Sequence, residues 1–460
     1  MARKVFISVL GTGFYDTCKY VKGGFTSSET RFIQQATLEY LKVKEKWTNI
    51  NTEGEATDRI IILLTEGSKV ANWDKSITTR QKRQSEPEVS YEGLEQVLND
   101  MELPCIVESF LIPDGKTEEE MWSIFNIVYD ALEKGDELYF DLTHSFRYLP
   151  MLILVLANYA KFLKGVMVKH ISYGNYEARN TSTNEAPLMD ILPLTILQDW
   201  TFAAADLIQN GNIKRFQDLK ENNAIIPFLR SRSKKNIDRR LTEEPLGNYI
   251  GSLQCYLQDM KLCQGPNILE GTSINSISYN HEQLSTVLQN VIAPIPPIIH
   301  RIQESLHGFE KTDKYHPSSL LNGYQAAKWC FDHQLYQQAI TILEENVTTH
   351  FCRYLGTNES IYIERKASNS YLRSGGFKEA DWKDNNDEND RLKEAREKAE
   401  RAAINVEVGK FVKEMREHAG WIHKKRNSYN HASMVPNDKF TQNDVTRLGE
   451  IINHILLLFG

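Results

Sequence analysis

The stretch Asp141–Arg147 carries side chains suited to chemistry. A short apolar run enters it and a long apolar run leaves it, which predicts a buried strand, a polar turn and a buried helix. Hydroxyl, imidazole and guanidinium groups at the start of a helix suit a ligand rich in phosphate. The same residue types also fit a plain helix cap, in which Thr143 or Ser145 caps the helix and His144 is solvated.

A second group of candidate residues lies near the end of the chain, in the stretch His423–His431. Arg426 and His431 form an R-x4-H pattern, and Asn427 follows the arginine directly. A histidine can move protons near neutral pH, and an arginine can bind and stabilise a phosphate. Together with an asparagine, these groups could cleave RNA without a metal ion, with the 2′-hydroxyl of the RNA as the nucleophile.

The geometry of a helix places a condition on this second group. Five residues of helix rotate by about 140°, so Arg426 and His431 would not share one face of a helix. The two side chains can cooperate if the motif lies at a helix start or if the site forms between two chains. An R-x4-H pattern often occurs by chance, so alone it is weak evidence for a catalytic site. The neighbouring asparagines and lysines strengthen this evidence.

Elements that could position the first group follow from the apolar runs. Four further runs predict strands: Lys4–Leu10, Arg59–Leu64, Cys105–Leu111 and Val166–Tyr173. Helical patterns separate them, which is typical of a parallel, doubly wound sheet that gathers its strand ends on one edge. Gly11 and Gly13 follow the first strand, but Asp16 replaces the third glycine of a dinucleotide fingerprint. A plain turn and a close backbone approach to a ligand therefore both stay open.

Composition limits the class of protein. The chain has 460 residues, 41% hydrophobic content and a net charge of −7, which is typical of a globular protein with two or three domains and no global basic surface for duplex DNA. Six scattered cysteines without a C-x-x-C pair favour reduced thiols in a cytoplasm over structural zinc. The Leu149–Leu163 run is too short to span a bilayer, and no signal peptide is expected.

Beyond Ile191 the patterns are helical. The basic stretch at 230–235 is interpreted as a solvated face or as an RNA-facing surface. A linker is expected at Gly265–Ser278, and a helix with a kink is expected at Ala293–Pro297. Charged residues at 378–401 predict an exposed helix or a loop, and two apolar-faced helices are expected at Gly409–Met415 and Asn443–Phe459.

Both groups resemble known families. The N-terminal half resembles the CRISPR-associated Rossmann-fold (CARF) domain of type III CRISPR ancillary proteins, through Asp141–Arg147 against the D-x-T-H-G motif. Three further stretches also resemble it: Thr30 to Ala36, Thr65 to Trp73, and Tyr173-Gly174. Arg426, Asn427 and His431 resemble the R-x4-H motif of HEPN ribonucleases. Ser145 stands where the CARF motif has glycine, and its Cβ changes how closely the backbone can approach a ligand.

The resemblance implies an α/β plus all-α architecture: a CARF domain at 1–192 with a Rossmann-like parallel sheet, a helical linker domain at 193–275, and a helical HEPN domain at 276–460. It implies a metal-independent, cytoplasmic endoribonuclease for single-stranded RNA in antiviral defence. Such a protein needs no cofactor, is activated by cyclic oligoadenylate, expected as the tetra-adenylate, and forms a homodimer or larger oligomer. The expected catalytic residues are Arg426, Asn427 and His431. The expected ligand-binding residues are Gly11, Thr12, Gly13, Thr65, Glu66, Thr143, His144, Ser145, Phe146, Arg147, Tyr173, Gly174 and Asn175.

Two other functions stay open. One is a non-catalytic nucleotide-sensing regulator whose helical half binds nucleic acid or a protein partner. The other is a dinucleotide-dependent oxidoreductase, which Asp16 disfavours.

Overall fold

The computed structural model describes residues 2–74, 78–144, 148–221, 243–288, 294–306, 308–310, 312–374, 389–402, 404–431 and 439–459. The chain divides into two compact units, Met1–Gln198 and Asp199–Gly460. The further division of the second part at residue 275 stays a prediction. None of the described helices is long and apolar enough to cross a membrane.

The first unit is built on an eight-stranded sheet. The described strands of this unit are β1 (Lys4–Leu10), β2 (Lys19–Lys22), β3 (Phe25–Thr26), β4 (Arg59–Leu64), β5 (Thr78–Arg80), β6 (Val89–Tyr91), β7 (Ile106–Leu111), β8 (Glu137–Asp141), β9 (Met167–Gly174) and β10 (Glu185–Asp190). Of these, β5 and β6 form a separate two-stranded hairpin. The sheet order is β3-β2-β10-β9-β8-β1-β4-β7. Neighbouring strands among β9, β8, β1, β4 and β7 are parallel. The predicted parallel sheet is therefore confirmed.

Buried apolar runs produce this parallel core. Phe6 of β1 and Ile60 and Ile62 of β4 are fully buried, as expected for strands covered on both faces. The α-helices that begin and end within the described part of this unit are α1 (Ile33–Leu41), α2 (Val43–Lys46), α3 (Glu66–Ser68), α4 (Leu94–Asp100), α5 (Glu118–Asp130) and α6 (Leu149–Lys164). A five-residue π-helix, Lys69–Trp73, follows α3. Thr117 caps α5 by accepting a hydrogen bond from the Glu120 N–H.

The edge beside β9 departs from the expectation. β2 and β3 form a hairpin, and this hairpin joins the sheet through β10. β10 pairs antiparallel to β9, so the sheet is mixed at this edge. The sequence did not predict β10 because Pro187 interrupts a segment with few apolar residues.

The second unit is helical. Its helices, beginning with one that crosses the boundary between the units, are α7 (Leu192–Asn210), α8 (Lys214–Glu221), α9 (Glu243–Lys261), α10 (Gly265–Glu270), α11 (Thr272–Leu288), α12 (Ile295–Ser305), α13 (Ser319–Asp332), α14 (Tyr336–Leu355), α15 (Tyr362–Ser374), α16 (Asn389–Ala402), α17 (Val406–Asn430) and α18 (Gln442–Phe459).

One prediction for this unit was wrong, and another had the right kind of element but was too short. The expected linker at Gly265–Ser278 is helical, and Gly271 ends α10 in the left-handed conformation with φ of 64°. The glycine and polar residues there mark helix ends rather than a connection. The short helix expected at Gly409–Met415 is part of the 25-residue α17. The stretch 230–235, residues 289–293 around the expected kink, and residues 378–388 lie outside the described residues.

Candidate functional site

The carboxyl ends of β9, β8, β1 and β4 lie side by side, because these strands are parallel neighbours in the sheet. The Gly174 N–H at the end of β9 donates to Thr143 Oγ1 at the end of β8, over 2.8 Å. Asn72 Nδ2, just beyond β4, donates to Gly11 O at the end of β1, over 2.8 Å. The structure thus brings the predicted strand ends together on one edge.

Thr143 is engaged within the protein rather than exposed on that edge. Its hydroxyl donates to Asp141 Oδ1 over 2.5 Å, while it accepts from Gly174. The helix α6 starts at Leu149 with Tyr148 as its N-cap and has no side-chain cap bond, so Thr143 does not cap it. Thr143 therefore acts as a positioning residue that joins the ends of β8 and β9.

Asp141 is a buried carboxylate held by hydroxyl groups. Ser8 Oγ donates to its Oδ2 over 2.7 Å, and Gln34 Nε2 donates to Ser8 Oγ over 3.0 Å. Burial raises the pKa of Asp141 to about 6, although the hydrogen bonds from Thr143 and Ser8 oppose that shift. Ser8, Gln34 and Asp141 are each at most 1% exposed, so this network lies beneath the edge.

His144 is stacked and neutral rather than solvated. Its ring lies on that of Tyr15, with 4.0 Å between the ring centroids. Burial lowers the pKa of His144 to about 4, so the imidazole is uncharged at neutral pH. Its Nε2 is buried and has no hydrogen-bond partner among the described residues. The side chain can therefore offer a ligand a neutral hydrogen-bonding group.

The loop of Gly11, Thr12 and Gly13 is fixed through its carbonyl oxygens. Asn72 Nδ2 also donates to Gly13 O over 2.9 Å, and Arg80 Nη2 donates to Thr12 O over 3.0 Å. A Cβ atom at Gly11 would lie 2.6 Å from the Tyr15 hydroxyl, so a larger residue there would displace the Tyr15 side chain. The close approach of this backbone to a ligand stays a prediction.

The remaining predicted ligand residues differ in their availability. The Thr65 hydroxyl accepts from Ser68 N–H, so it caps α3. Glu66 is exposed, and Tyr173 is 37% exposed. The Asn175 N–H donates to Pro187 O over 2.9 Å. The predicted residues Ser145, Phe146 and Arg147 lie outside the described residues.

Some residues of this edge were missed as site residues by the sequence reasoning. Asn72 was noted only through the resemblance, and Tyr15 and Arg80 were not noted at all. A polar residue inside an apolar pattern is a usable signal for Gln34, which interrupts the apolar face of α1 yet is fully buried. No sequence signal connects Arg80 with the loop some seventy residues earlier, because that contact depends on the fold.

In the second unit, a closed ring of polar contacts joins α14 and α17. Glu344 Oε1 lies 2.6 Å from His423 Nδ1, and His423 Nε2 lies 3.1 Å from Asn427 Nδ2. Arg426 Nη1 donates to Asn427 Oδ1 over 3.3 Å, and Arg426 Nε lies 2.8 Å from Glu344 Oε2. The contacts imply that His423 donates through Nδ1 and accepts through Nε2. The ring fixes two of the three predicted catalytic side chains.

Glu344 and Glu345 together neutralise Arg426. Glu345 Oε1 accepts from Arg426 Nη2 over 2.9 Å. The Glu344 side chain is 5% exposed, whereas that of Glu345 is 49% exposed. Burial opposes ionisation of Glu344, but the His423 hydrogen bond and the Arg426 charge outweigh it and lower the Glu344 pKa. Glu344 is therefore an ionised, buried partner of the arginine.

His431 stands apart from the ring. It follows the last residue of α17, and its N–H donates to Asn427 O over 3.0 Å. Its side chain is exposed and makes no hydrogen bond or ion pair with Arg426 or Asn427 within the described part of the chain. The structure thus groups Arg426 and Asn427 with Glu344 and His423. The sequence reasoning did not assign either of those two to the site.

Residues 5–177 match the family model described as CRISPR system endoribonuclease Csx1, CARF domain. The chain is also similar to CRISPR-associated protein MJ1674 of Methanocaldococcus jannaschii, with 22% identity over 395 residues. That alignment covers 79% of this chain and 56% of the relative, so the chain spans about half the length of the curated relative it matches.

The sheet, its strand-end edge and the family match define the first unit as a CARF domain, as the resemblance predicted.

We expect the Asp141→Asn variant to change how the stability of the first unit depends on pH. The pKa of Asp141 is raised in the folded state, so its protonation stabilises the fold as the pH falls through about 6. Wild type should gain about 2 kcal/mol relative to the variant between about pH 7 and about pH 4.5. Urea unfolding of both proteins across this window measures the difference. Histidines that titrate there are common to both proteins and cancel, and parallel profiles would contradict the assignment.

We expect the two neighbouring glutamates to differ in their effect on stability. Glu344→Ala removes a buried carboxylate from His423 and Arg426 and should destabilise the second unit by about 3 kcal/mol. Glu345→Ala removes an exposed partner of the same arginine and should cost less than about 1 kcal/mol. Denaturant unfolding of the two variants provides the comparison, in which Glu345→Ala is the matched control. Equal losses would show that the ring does not hold α14 and α17 together.

Proposed function

We propose that this protein is a metal-independent endoribonuclease for single-stranded RNA that is activated by cyclic oligoadenylate in type III CRISPR antiviral defence. The observation that carries the proposal is the ring in the second unit, which fixes Arg426 and Asn427 near the end of α17, in a chain whose first unit is a CARF domain. CARF domains in general bind cyclic oligoadenylates.

The strand-end edge supports the binding of such an activator. The N–H groups of Thr12 and Gly13 have no hydrogen-bond partner among the described residues, whereas their carbonyl oxygens are held by Arg80 and Asn72. Free backbone N–H groups in a turn favour phosphate oxygens. A neutral His144 and the exposed Tyr173 ring are suited to hydrogen bonding and stacking with adenine. Cyclic tetra-adenylate is the ring size that we propose.

The proposed reaction uses the 2′-hydroxyl of the RNA. His431 takes the proton of this hydroxyl or gives a proton to the leaving 5′-oxygen. The 2′-oxygen attacks phosphorus, the bond to the 5′-oxygen breaks, and the products carry 2′,3′-cyclic phosphate and 5′-hydroxyl ends. Arg426 stabilises the charge on phosphate, and Asn427 orients the arginine through the contact at 3.3 Å.

A site shared between two chains fits the position of His431. The side chain is exposed at the end of α17, where it can reach a second copy rather than its own ring. We propose a homodimer or larger oligomer in which the arginine of one chain works with the histidine of another. A symmetric activator would then favour the dimer arrangement that brings them together.

A non-catalytic regulator is the second candidate function. The pairing of Arg426 with two carboxylates favours it, since a fully neutralised arginine is also what a structural ion pair would show. A ribonuclease assay with and without cyclic oligoadenylate distinguishes the two functions.

We expect His431→Ala to lower activated RNA cleavage by about 10²–10⁴-fold while activator affinity stays unchanged, because a proton-transfer group is lost. Arg426→Lys should restore little of the activity lost in Arg426→Ala, since lysine lacks the planar fork. Gel assays of RNA cleavage in EDTA should show undiminished wild-type activity. Full activity of the His431→Ala variant would contradict the mechanism. Loss of wild-type RNA cleavage in EDTA would also contradict it.

A mixing experiment is the control for the shared site. If each site combines two chains, a mixture of Arg426→Ala and His431→Ala proteins forms mixed dimers with one intact site, and part of the activity returns. If each chain holds its own complete site, the mixture stays inactive.

We expect His144→Ala to weaken binding of cyclic tetra-adenylate by about tenfold, because a hydrogen bond and a stacked ring at the strand-end edge are lost. Isothermal titration calorimetry gives the affinity. His300→Ala, which changes an exposed histidine of the second unit, serves as the control. Equal affinity of wild type and His144→Ala would exclude this edge as the activator site.

A further inference from the structure

A cavity in the second unit lies next to the ring and is not used in the proposed reaction. Its volume is about 480 Å³, which is within the range of sites that hold small ligands. Residues of α10, α14 and α15 and of the segment before α13 line it, among them Leu269, Tyr315, Thr341, Ile342, Glu345 and Arg365.

Glu345 connects this cavity to the arginine of the ring. One of its carboxylate oxygens lies 2.9 Å from Arg426 Nη2, and the other accepts from Arg365 Nη2 over 2.7 Å. Two guanidinium groups therefore flank a single exposed carboxylate in the cavity wall. A phosphate bound at Arg426 would lie directly beside the cavity.

The lining has the chemistry of a base-binding pocket. Leu269 and Ile342 provide apolar surface, and the Tyr315 ring is 60% exposed. Lys314 Nζ lies 5.1 Å from the centre of that ring, so a positive charge accompanies the aromatic face. Proteins bind single-stranded nucleic acids through aromatic rings, on which the bases stack, and through positive charges, which attract the phosphate backbone.

We propose that the cavity binds a nucleobase of single-stranded RNA next to the cleaved bond and so sets the cleavage preference. This inference rests on the proposed function. Tyr315 stacks on the base, the apolar lining receives its edge, and Arg365 faces the adjoining phosphate. A flat, weakly polar group attached to a phosphate is the ligand that fits both the cavity and its position beside Arg426.

The test measures RNA binding separately from cleavage. In a His431→Ala background, fluorescence anisotropy with labelled single-stranded RNA should show about tenfold weaker binding for Tyr315→Ala. Tyr315→Phe keeps the ring and should bind like the parent. Tyr362→Ala is the matched control, because Tyr362 is an exposed tyrosine of α15, 77% exposed, that does not line the cavity. Thr341→Trp, which fills the cavity from α14, should weaken binding as Tyr315→Ala does.

Cleavage mapping in the active background provides the second measurement. Tyr315→Ala should raise KM more than it lowers kcat and should change the distribution of cut sites along a mixed-sequence RNA. Equal RNA affinity and equal cut sites in the Tyr315→Ala, Thr341→Trp and parent proteins would overturn the pocket. If wild type binds RNA through Tyr315 but does not cleave it, the pocket stands and the proposed function fails.

Discussion

A buried carboxylate, Asp141, sets the geometry of the strand-end edge. Among the described residues its hydrogen-bond donors are the Ser8 hydroxyl and the hydroxyl and backbone N–H of Thr143. Such a group costs stability unless each donor is held in place. Because Thr143 also accepts from Gly174 N–H, satisfying Asp141 fixes the ends of β8 and β9 against each other. The residues that resemble a ligand-binding motif thus act first as a brace for the edge where the ligand is expected.

The second unit contains a buried carboxylate in the opposite electrostatic situation. Glu344 has an arginine and a histidine as partners, so its pKa is lowered, whereas burial raises the pKa of Asp141. Removing either partner of such a pair leaves a charge or a polar group unsatisfied. This makes α14 and α17 dependent on each other. It also explains why Arg426 has a defined orientation although it lies near the surface.

The sequence predicted the parts of the fold that depend on local pattern. Long apolar runs such as Arg59–Leu64 identify central parallel strands, whereas β10 is hidden because Pro187 disrupts its pattern. For the site, spacing alone selected Arg426, Asn427 and His431. It could not supply Glu344, because the approach of α14 to α17 is decided by packing between segments about eighty residues apart. His423 lies in the stretch that the sequence analysis singled out, but its role depends on its contact with Glu344.

The two glutamates on Arg426 suggest how the proposed reaction reconciles a neutralised arginine with phosphate binding. Glu344 is buried and engages Nε, so replacing it would expose a desolvated charge. Glu345 is half exposed and engages Nη2, and an exposed ion pair of this kind contributes little free energy. An RNA phosphate can therefore take the place of Glu345 while Glu344 keeps the guanidinium aimed. The same exchange would leave Glu345 paired with Arg365 alone in the wall of the cavity, so that phosphate binding and base binding would be coupled through a single side chain.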